Sequence, residues 1–177
     1  MIVPDIIWPD ILYSREINHS MITGKFYVEA QSTTFDGKLI LLSYYSGLSQ
    51  RIGFTLQQSL QLISAIKEAN TYCQERSSSS DRSWKTLSIK QKLRTIPQLI
   101  AYYFYPDVLF SREVPSSFEN GRVFIQVESN FFENIHLVFV LKTGISAIPK
   151  IHFPPAAVSK FVEALEEAYQ TASNKNG

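Results

Sequence analysis

The sequence has little of what would indicate a secreted or membrane protein. Its one cysteine, Cys73, cannot form an internal disulfide, which suits the reducing cytoplasm. It contains no apolar run near the roughly 20 residues that a membrane-spanning helix needs. The first residues, Met-Ile-Val-Pro-Asp, show neither the charged segment nor the cleavage site of a secretory signal. We therefore expect a cytoplasmic protein that does not associate with a membrane.

Motifs for catalysis are also scarce. The histidines at positions 19, 136 and 152 lack the spacing of zinc ligands, and no second cysteine could join them. His136 lies in an apolar stretch and is interpreted as a core or interface residue. Asp10 and Asp107 each follow a proline, and a Pro-Asp pair before a strand is more typical of a turn than of an acid–base residue. With no Gly-rich phosphate loop or nucleophile elbow, we predict a protein that is not an enzyme and needs no metal or cofactor.

The chain does contain an internal repeat. Residues 8–17 read WPDILYSREI and residues 105–114 read YPDVLFSREV, with six of ten positions identical at an offset of 97. The offset later slips to 99, which pairs Phe54 with Phe153. This period is too long for the units of a solenoid, so we predict an internally duplicated domain.

Each repeat is predicted to form four strands and then a helix. Residues 25–31 alternate apolar and polar side chains, which is the pattern of a strand with one buried face. Residues 38–45 are apolar on both faces, as in a covered central strand. Thr55 and Gln58 have the spacing of a helix capping box. The stripes that predict the two helices are Leu62, Ala65, Ile66 and Ala69, then Val158, Phe161, Val162, Leu165 and Ala168.

These patterns predict an α+β fold with two pseudo-symmetric ββββα repeats, whose antiparallel sheets are joined by a basic, partly helical connector. The first repeat covers residues 8–74, the connector residues 75–104 and the second repeat residues 105–171. A lone unit would leave sheet surface uncovered, so we expect the two units to pair around a pseudo-twofold axis. The chain would be a monomer with this internal symmetry, or a homodimer.

Basic side chains are concentrated between the repeats, although the net charge is only +1. Residues 8–72 hold five basic and five acidic side chains, and residues 105–169 hold five basic and eight acidic. Residues 76–94 hold six basic and one acidic. This segment is either a phosphate-contacting surface or a solvated helix face. Its basic residues are Arg76, Arg82, Lys85, Lys90, Lys92 and Arg94.

The order β-β-β-β-α, found twice in one chain, resembles the PUR-repeat proteins and, more broadly, the fold shared by the PC4 coactivators and the plant Whirly proteins. The likeness is carried by Lys25-Phe26-Tyr27-Val28-Glu29, Asp36-Gly37-Lys38-Leu39-Ile40 and Phe54-Thr55-Leu56. Other duplicated α+β folds remain open on these residues.

The resemblance implies sequence-tolerant binding of single-stranded DNA or RNA on the sheets. The matching positions are Lys25, Tyr27 and Lys38 in the first repeat, and Arg122 and Phe124 in the second. The second repeat departs from the pattern, because residues 133–135 read Glu-Asn-Ile where the first repeat has its basic turn. The first repeat and the connector are therefore expected to do most of the binding.

Two observations leave alternatives open. Aromatic residues beside cations suit base stacking, but Tyr27 and Phe124 would equally suit packing between the repeats. The repeated Ser-Arg-Glu, residues 14–16 and 111–113, is either a phosphate contact used twice or a pair of symmetric salt bridges.

The leading functional hypothesis is non-catalytic binding of single-stranded nucleic acid. The alternative is a protein-interaction or scaffold module, which is favoured by the acidic residues of the second helix, Glu163, Glu166 and Glu167.

Overall fold

The computed structural model describes most of both repeats and a few positions between them. The described residues are 10–19, 24–33, 37–46, 48–76, 88, 90–91, 94, 96–97, 106–117, 121–129, 135–143, 146–147 and 150–174.

Both repeats form antiparallel strands followed by a long helix, which confirms the predicted fold class. The first repeat contains β1 (Asp10–Ile17), β2 (Lys25–Thr33), β3 (Gly37–Ser46), β4 (Leu48–Thr55) and α1 (Leu56–Arg76). The second contains β5 (Asp107–Val114), β6 (Gly121–Ser129), β7 (Ile135–Thr143), β8 (Ser146–Ala147), β9 (Ile151–Phe153) and α2 (Pro155–Asn174).

The two sheets have the same topology. The first has the order β1-β2-β3-β4 and the second β5-β6-β7-β8, with β9 also pairing with β7. The fourth strand of the second repeat is therefore in two pieces, and the sequence between them contains Pro149, which has no amide hydrogen to donate to a ladder. The register shifts between Ile11 and Tyr13 in β1, and between Val108 and Phe110 in β5. These positions correspond at the offset of 97, so even the irregularity is duplicated.

Helix α1 begins with the predicted capping box. The amide of Thr55 donates to Oε1 of Gln58 over 2.9 Å, and the amide of Gln58 donates to Oγ1 of Thr55 over 3.2 Å. Ser88 and Gln91 make the same reciprocal contacts at 2.9 and 3.4 Å, in a segment where residues 90–91, 94 and 96–97 are helical. Two amides without intrahelical partners are satisfied at each cap, and the connector is helical in part, as predicted.

Each helix covers the sheet of the other repeat. Helix α2 packs against β1, β2 and β3, whereas α1 packs against β5, β6 and β7, and the two helices also contact each other. Phe26 of β2 shows the result, because its ring centroid lies 5.3 Å from that of Phe161 in α2 and 5.1 Å from that of Phe153 in β9. Buried residues of both repeats form one continuous core. The repeats are thus interlocked halves of a single structure.

The side-chain alternation predicted for residues 25–31 is confirmed on the core side. Phe26, Val28 and Ala30 are buried against the shared core. Gly24 introduces this strand with a φ of 100°, a backbone conformation that favours glycine. A Cβ atom there would lie 2.7 Å from the ring of Tyr44. Glycine therefore allows the chain to pass close to Tyr44 as it enters β2.

Candidate functional site

The arginines of the repeated Ser-Arg-Glu join each sheet to the helix of the other repeat. Arg15 of β1 contacts Glu163 and Glu167 of α2 at 3.0 and 3.1 Å. Arg112 of β5 contacts Glu68 of α1 at 2.5 Å. Because Glu68 and Glu167 correspond at the offset of 99, the structure shows the symmetric salt bridges that were one interpretation of the motif.

A tyrosine strengthens the first of these contacts. The hydroxyl of Tyr13 donates to Oε2 of Glu167 over 2.6 Å. This hydrogen bond, with Arg15 nearby, lowers the pKa of the Glu167 carboxyl. Burial, with the same hydrogen bond, raises the pKa of Tyr13 to about 12. Arg15 and Tyr13 therefore serve the inter-repeat contact.

The acidic residues of α2 are used within the chain. Besides Glu163 and Glu167, which contact Arg15, Glu166 contacts Lys67 of α1 at 2.5 Å. Lys67 and Glu166 correspond at the offset of 99, so this pair lies on the pseudo-twofold axis. The glutamates that favoured a protein partner are thus engaged in holding the repeats together.

The glutamates of the repeated motif point to the outer face of each sheet, away from the shared core. Oε2 of Glu16 lies 3.3 Å from Nζ of Lys25 and accepts a hydrogen bond of 3.0 Å from the hydroxyl of Tyr27. The hydrogen bond to Glu16 raises the pKa of Lys25. In the second sheet Glu113 lies 3.7 Å from Nε of Arg122. Lys25 and Arg122, two of the three sheet cations that the resemblance assigned to phosphate, therefore each have a carboxylate beside them.

The outer face of the first sheet carries charged and aromatic side chains across all four strands. The rings of Tyr27 and Tyr45 meet edge to face with centroids 5.6 Å apart. Arg51 of β4 lies over the Tyr45 ring at 5.9 Å and donates to its hydroxyl over 2.9 Å. We call Glu16, Lys25, Tyr27, Tyr45 and Arg51 the outer band. It combines two half-buried tyrosines with two exposed cations.

Tyr45 and Arg51 were not predicted as site residues. Tyr45 is the register partner of Lys25, and Arg51 is the partner of Ser43, which itself faces Tyr27. Each has the strand parity of Tyr27 rather than of the core residues. The parity of each residue within its own strand can be read from the sequence. Placing Tyr45 and Arg51 beside Tyr27 also requires the strand register, which the sequence alone did not supply.

The middle of the same outer face is closed to solvent. Glu29, Gln31, Leu41 and Ser43 are all buried there. The carboxylate of Glu29 accepts hydrogen bonds from Ser43 at 2.8 Å and from Gln31 at 3.5 Å. The outer band therefore lies beside a part of this face that solvent does not reach.

Lys38 does not join the outer band. It pairs with Ser32, near the end of the β2–β3 ladder opposite the Lys25–Tyr45 pair. Its strand parity is that of Ile40 and not that of Tyr45, so it belongs to the other side of the sheet. The structure brings Lys25 and Tyr27 together and leaves Lys38 apart from them.

The second sheet carries a different set at the corresponding positions. Phe124 is half-buried across from Glu113, and Arg122 is exposed. The sequence has Lys142 where the first repeat has Tyr45, and Lys150 where it has Arg51. Only the first repeat therefore has two tyrosines among the positions of the outer band.

The predicted connector residues are described in part. Lys90 and Arg94 are exposed and helical. Arg82, Lys85 and Lys92 lie outside the described residues. The two described cations are accessible to an anionic ligand.

A group of titratable side chains occupies the outer face of the second sheet. Glu128 is buried, pairs in register with His136, and contacts Lys150 at 2.5 Å. The His136 and His152 rings lie 6.3 Å apart. Burial lowers the pKa of both histidines, although Glu128 acts in the opposite direction. Nδ1 of His136 is buried without a hydrogen-bond partner among the described residues.

Because the pKa values of His136 and His152 are lowered, we expect the protein to lose stability in mild acid. A histidine whose pKa is lower in the folded state resists protonation there, whereas the unfolded chain binds protons from about pH 6.5 downward. The free energy of unfolding should therefore fall as the pH drops below about 6.5 and through the lowered pKa values. The melting temperature measured between pH 5 and 8 should show this slope, and the double variant His136→Gln, His152→Gln should flatten it. An equal slope in the variant, which retains His19, would assign the pH dependence to other groups.

Within the described residues, no helix is both long and apolar enough to cross a membrane. The same part of the chain has no cluster of three or more histidine, cysteine or acidic residues placed to hold a metal ion. A scan against models of protein families finds no match to this sequence, and a search of curated proteins finds none either.

Proposed function

We propose that this chain binds single-stranded DNA or RNA, with little sequence preference and without catalysis, on the outer band of its first sheet. The observation that carries the proposal is the pair of half-buried tyrosines with an exposed cation on either side. Binders of single strands combine aromatic rings for the bases with cations for the backbone.

The angle between the tyrosine rings favours a single strand over a duplex. The planes of Tyr27 and Tyr45 are inclined by 76°. Two neighbouring bases cannot lie flat on both rings while remaining stacked on each other. Bases of a single strand can separate in this way, and each base–aromatic stack contributes roughly 1–3 kcal/mol. Lys25 and Arg51 would contact the phosphates, with Lys90 and Arg94 of the connector as further exposed cations.

The charges favour this proposal over a protein-interaction module. That alternative rested on the acidic residues of α2, and all three contact basic residues of the first repeat. These ion pairs partly neutralise the acidic surface of α2. In the outer band, by contrast, two cations and two tyrosines stand beside a single carboxylate.

The test is fluorescence anisotropy with labelled single-stranded DNA and RNA 20-mers at low and moderate salt. We expect micromolar or tighter binding that weakens steeply with salt, because phosphate contacts release counterions. The double variant Tyr27→Leu, Tyr45→Leu should bind at least about tenfold more weakly, since more than one stack is lost.

The matched control is Leu60→Ala, an exposed position of α1 away from the outer band, which should leave the affinity unchanged. Melting temperatures would show that each variant is folded. Absence of binding by the native chain at low salt would refute the proposed function. An unchanged affinity in the double tyrosine variant would show that the binding site lies elsewhere on the chain.

A further inference from the structure

We propose that Glu16 and Glu113 compete with phosphate. Each forms an ion pair with the first cation of the second strand in its sheet, Lys25 or Arg122, and so limits the affinity of that cation for a nucleic-acid backbone. This inference rests on the proposed function. It assigns to the glutamate of the repeated Ser-Arg-Glu a role separate from that of its arginine.

The geometry around Glu16 is duplicated around Glu113. Glu16 stands across from Tyr27, and Glu113 stands across from Phe124. In each sheet the cation lies two residues before that aromatic position, so the carboxylate reaches it diagonally. Lys25 and Arg122 are corresponding cations that the two faces offer to a phosphate, and each has the corresponding glutamate as its ion-pair partner.

Both ion pairs are open to exchange with solvent anions. The side chains of Lys25 and Arg122 are 62% and 73% exposed, and those of Glu16 and Glu113 are 46% and 50% exposed. Exposed ion pairs contribute little to stability and are screened by salt. A phosphate can therefore replace the carboxylate without disturbing the fold. The arginines of the motif differ, because their partners lie on the helix of the other repeat.

The two sheets differ in how the carboxylate is held. Glu16 accepts a hydrogen bond from Tyr27 as well as contacting Lys25. Phe124 has no hydroxyl, so Glu113 lacks the equivalent bond and lies 3.7 Å from Arg122. The carboxylate of the first sheet is therefore held more firmly, and its removal should have the larger effect.

The experiment measures the affinity of labelled single-stranded oligothymidylate for native chain, Glu16→Gln and Glu113→Gln. Glu16→Gln should bind about two- to fivefold more tightly, with a steeper salt dependence because one more cation is free to meet a phosphate. Glu113→Gln should show a smaller gain. The control is Glu75→Gln, which makes the same charge change at an exposed position of α1.

A second variant separates competition from positioning. Tyr27→Phe keeps the ring but removes the hydroxyl that holds Glu16, so it should also tighten binding. If Glu16 instead orients Lys25 and Tyr27 for the ligand, both Glu16→Gln and Tyr27→Phe would weaken binding. Such weakening, or a gain no larger than that of Glu75→Gln, would overturn the inference while the proposed function stands. Failure of the native chain and every variant to bind would refute both.

Discussion

Replacing Phe26 by alanine is expected to destabilise the whole chain by about 3–5 kcal/mol, the usual cost of removing a buried phenylalanine. The Phe26 side chain is 1% exposed and contacts the rings of Phe139, Phe153 and Phe161, all from the second repeat. The cavity would therefore open between the two repeats, where neither sheet can close it alone. Urea denaturation followed by circular dichroism would measure the loss.

Hydrogen exchange would show whether both repeats share the loss of stability caused by Phe26→Ala. Because the core is continuous, amides of β2 and β6 should lose protection together in the Phe26→Ala variant. Ile11→Ala is the control, because Ile11 is 61% exposed and should change stability by no more than about 0.5 kcal/mol. Native protection in β6 alongside lost protection in β2 would contradict a single shared core.

Separating the repeats is expected to abolish folding of each half. A fragment of residues 8–76 would contain all four strands of its sheet but lack α2, the helix that covers β1, β2 and β3. A fragment of residues 105–174 would lose α1 in the same way. Each fragment alone should lack cooperative unfolding and expose its apolar sheet face, whereas an equimolar mixture should refold as a one-to-one complex detectable by native mass spectrometry.

The ion pair between Lys67 and Glu166, which lies on the pseudo-twofold axis, should favour the mixed complex of the two fragments over either homodimer. Two copies of the first fragment would place Lys67 against Lys67, and two copies of the second would place Glu166 against Glu166. The mixed complex alone forms the attractive pair. Lys67→Glu in the first fragment should weaken the mixed complex, and Glu166→Lys in the second should restore it. A folded monomer from either fragment would show that the exchange of helices is not needed for stability. Equal amounts of all three dimers would show that the Lys67–Glu166 pair does not select the mixed complex.

Much of the fold followed from periodicity and duplication. Alternation in residues 25–31 identified the buried face of β2, and the Thr55–Gln58 spacing identified the start of α1, because both patterns are local. The exchange of helices between sheets was not predicted. An apolar stripe such as Val158 to Ala168 shows that a helix must be covered, but the partner it covers is decided by the packing of distant segments.

The candidate site was predicted in part for the same reason. Lys25 and Tyr27 share a strand, and their common direction follows from a period of two. Tyr45 and Arg51 join them only through the register of β3 and β4, which depends on long-range pairing. Lys38 was grouped with Lys25 by resemblance, yet its parity and position separate the two. The repeated Ser-Arg-Glu was recognised as significant, but its partners lie about 150 residues away in α2 for Arg15.

The direction of the outer band restricts how a linear polymer can lie on this chain. The outer band crosses β1 to β4 and does not run along any one of them, and adjacent strands are about 4.8 Å apart. Its footprint is therefore about 14 Å, set by the number of strands and independent of their length. Under the proposed function, such a site would hold only a few nucleotides. An oligomer longer than this footprint would gain affinity only by reaching the connector or the second sheet, so affinity should rise with length in steps.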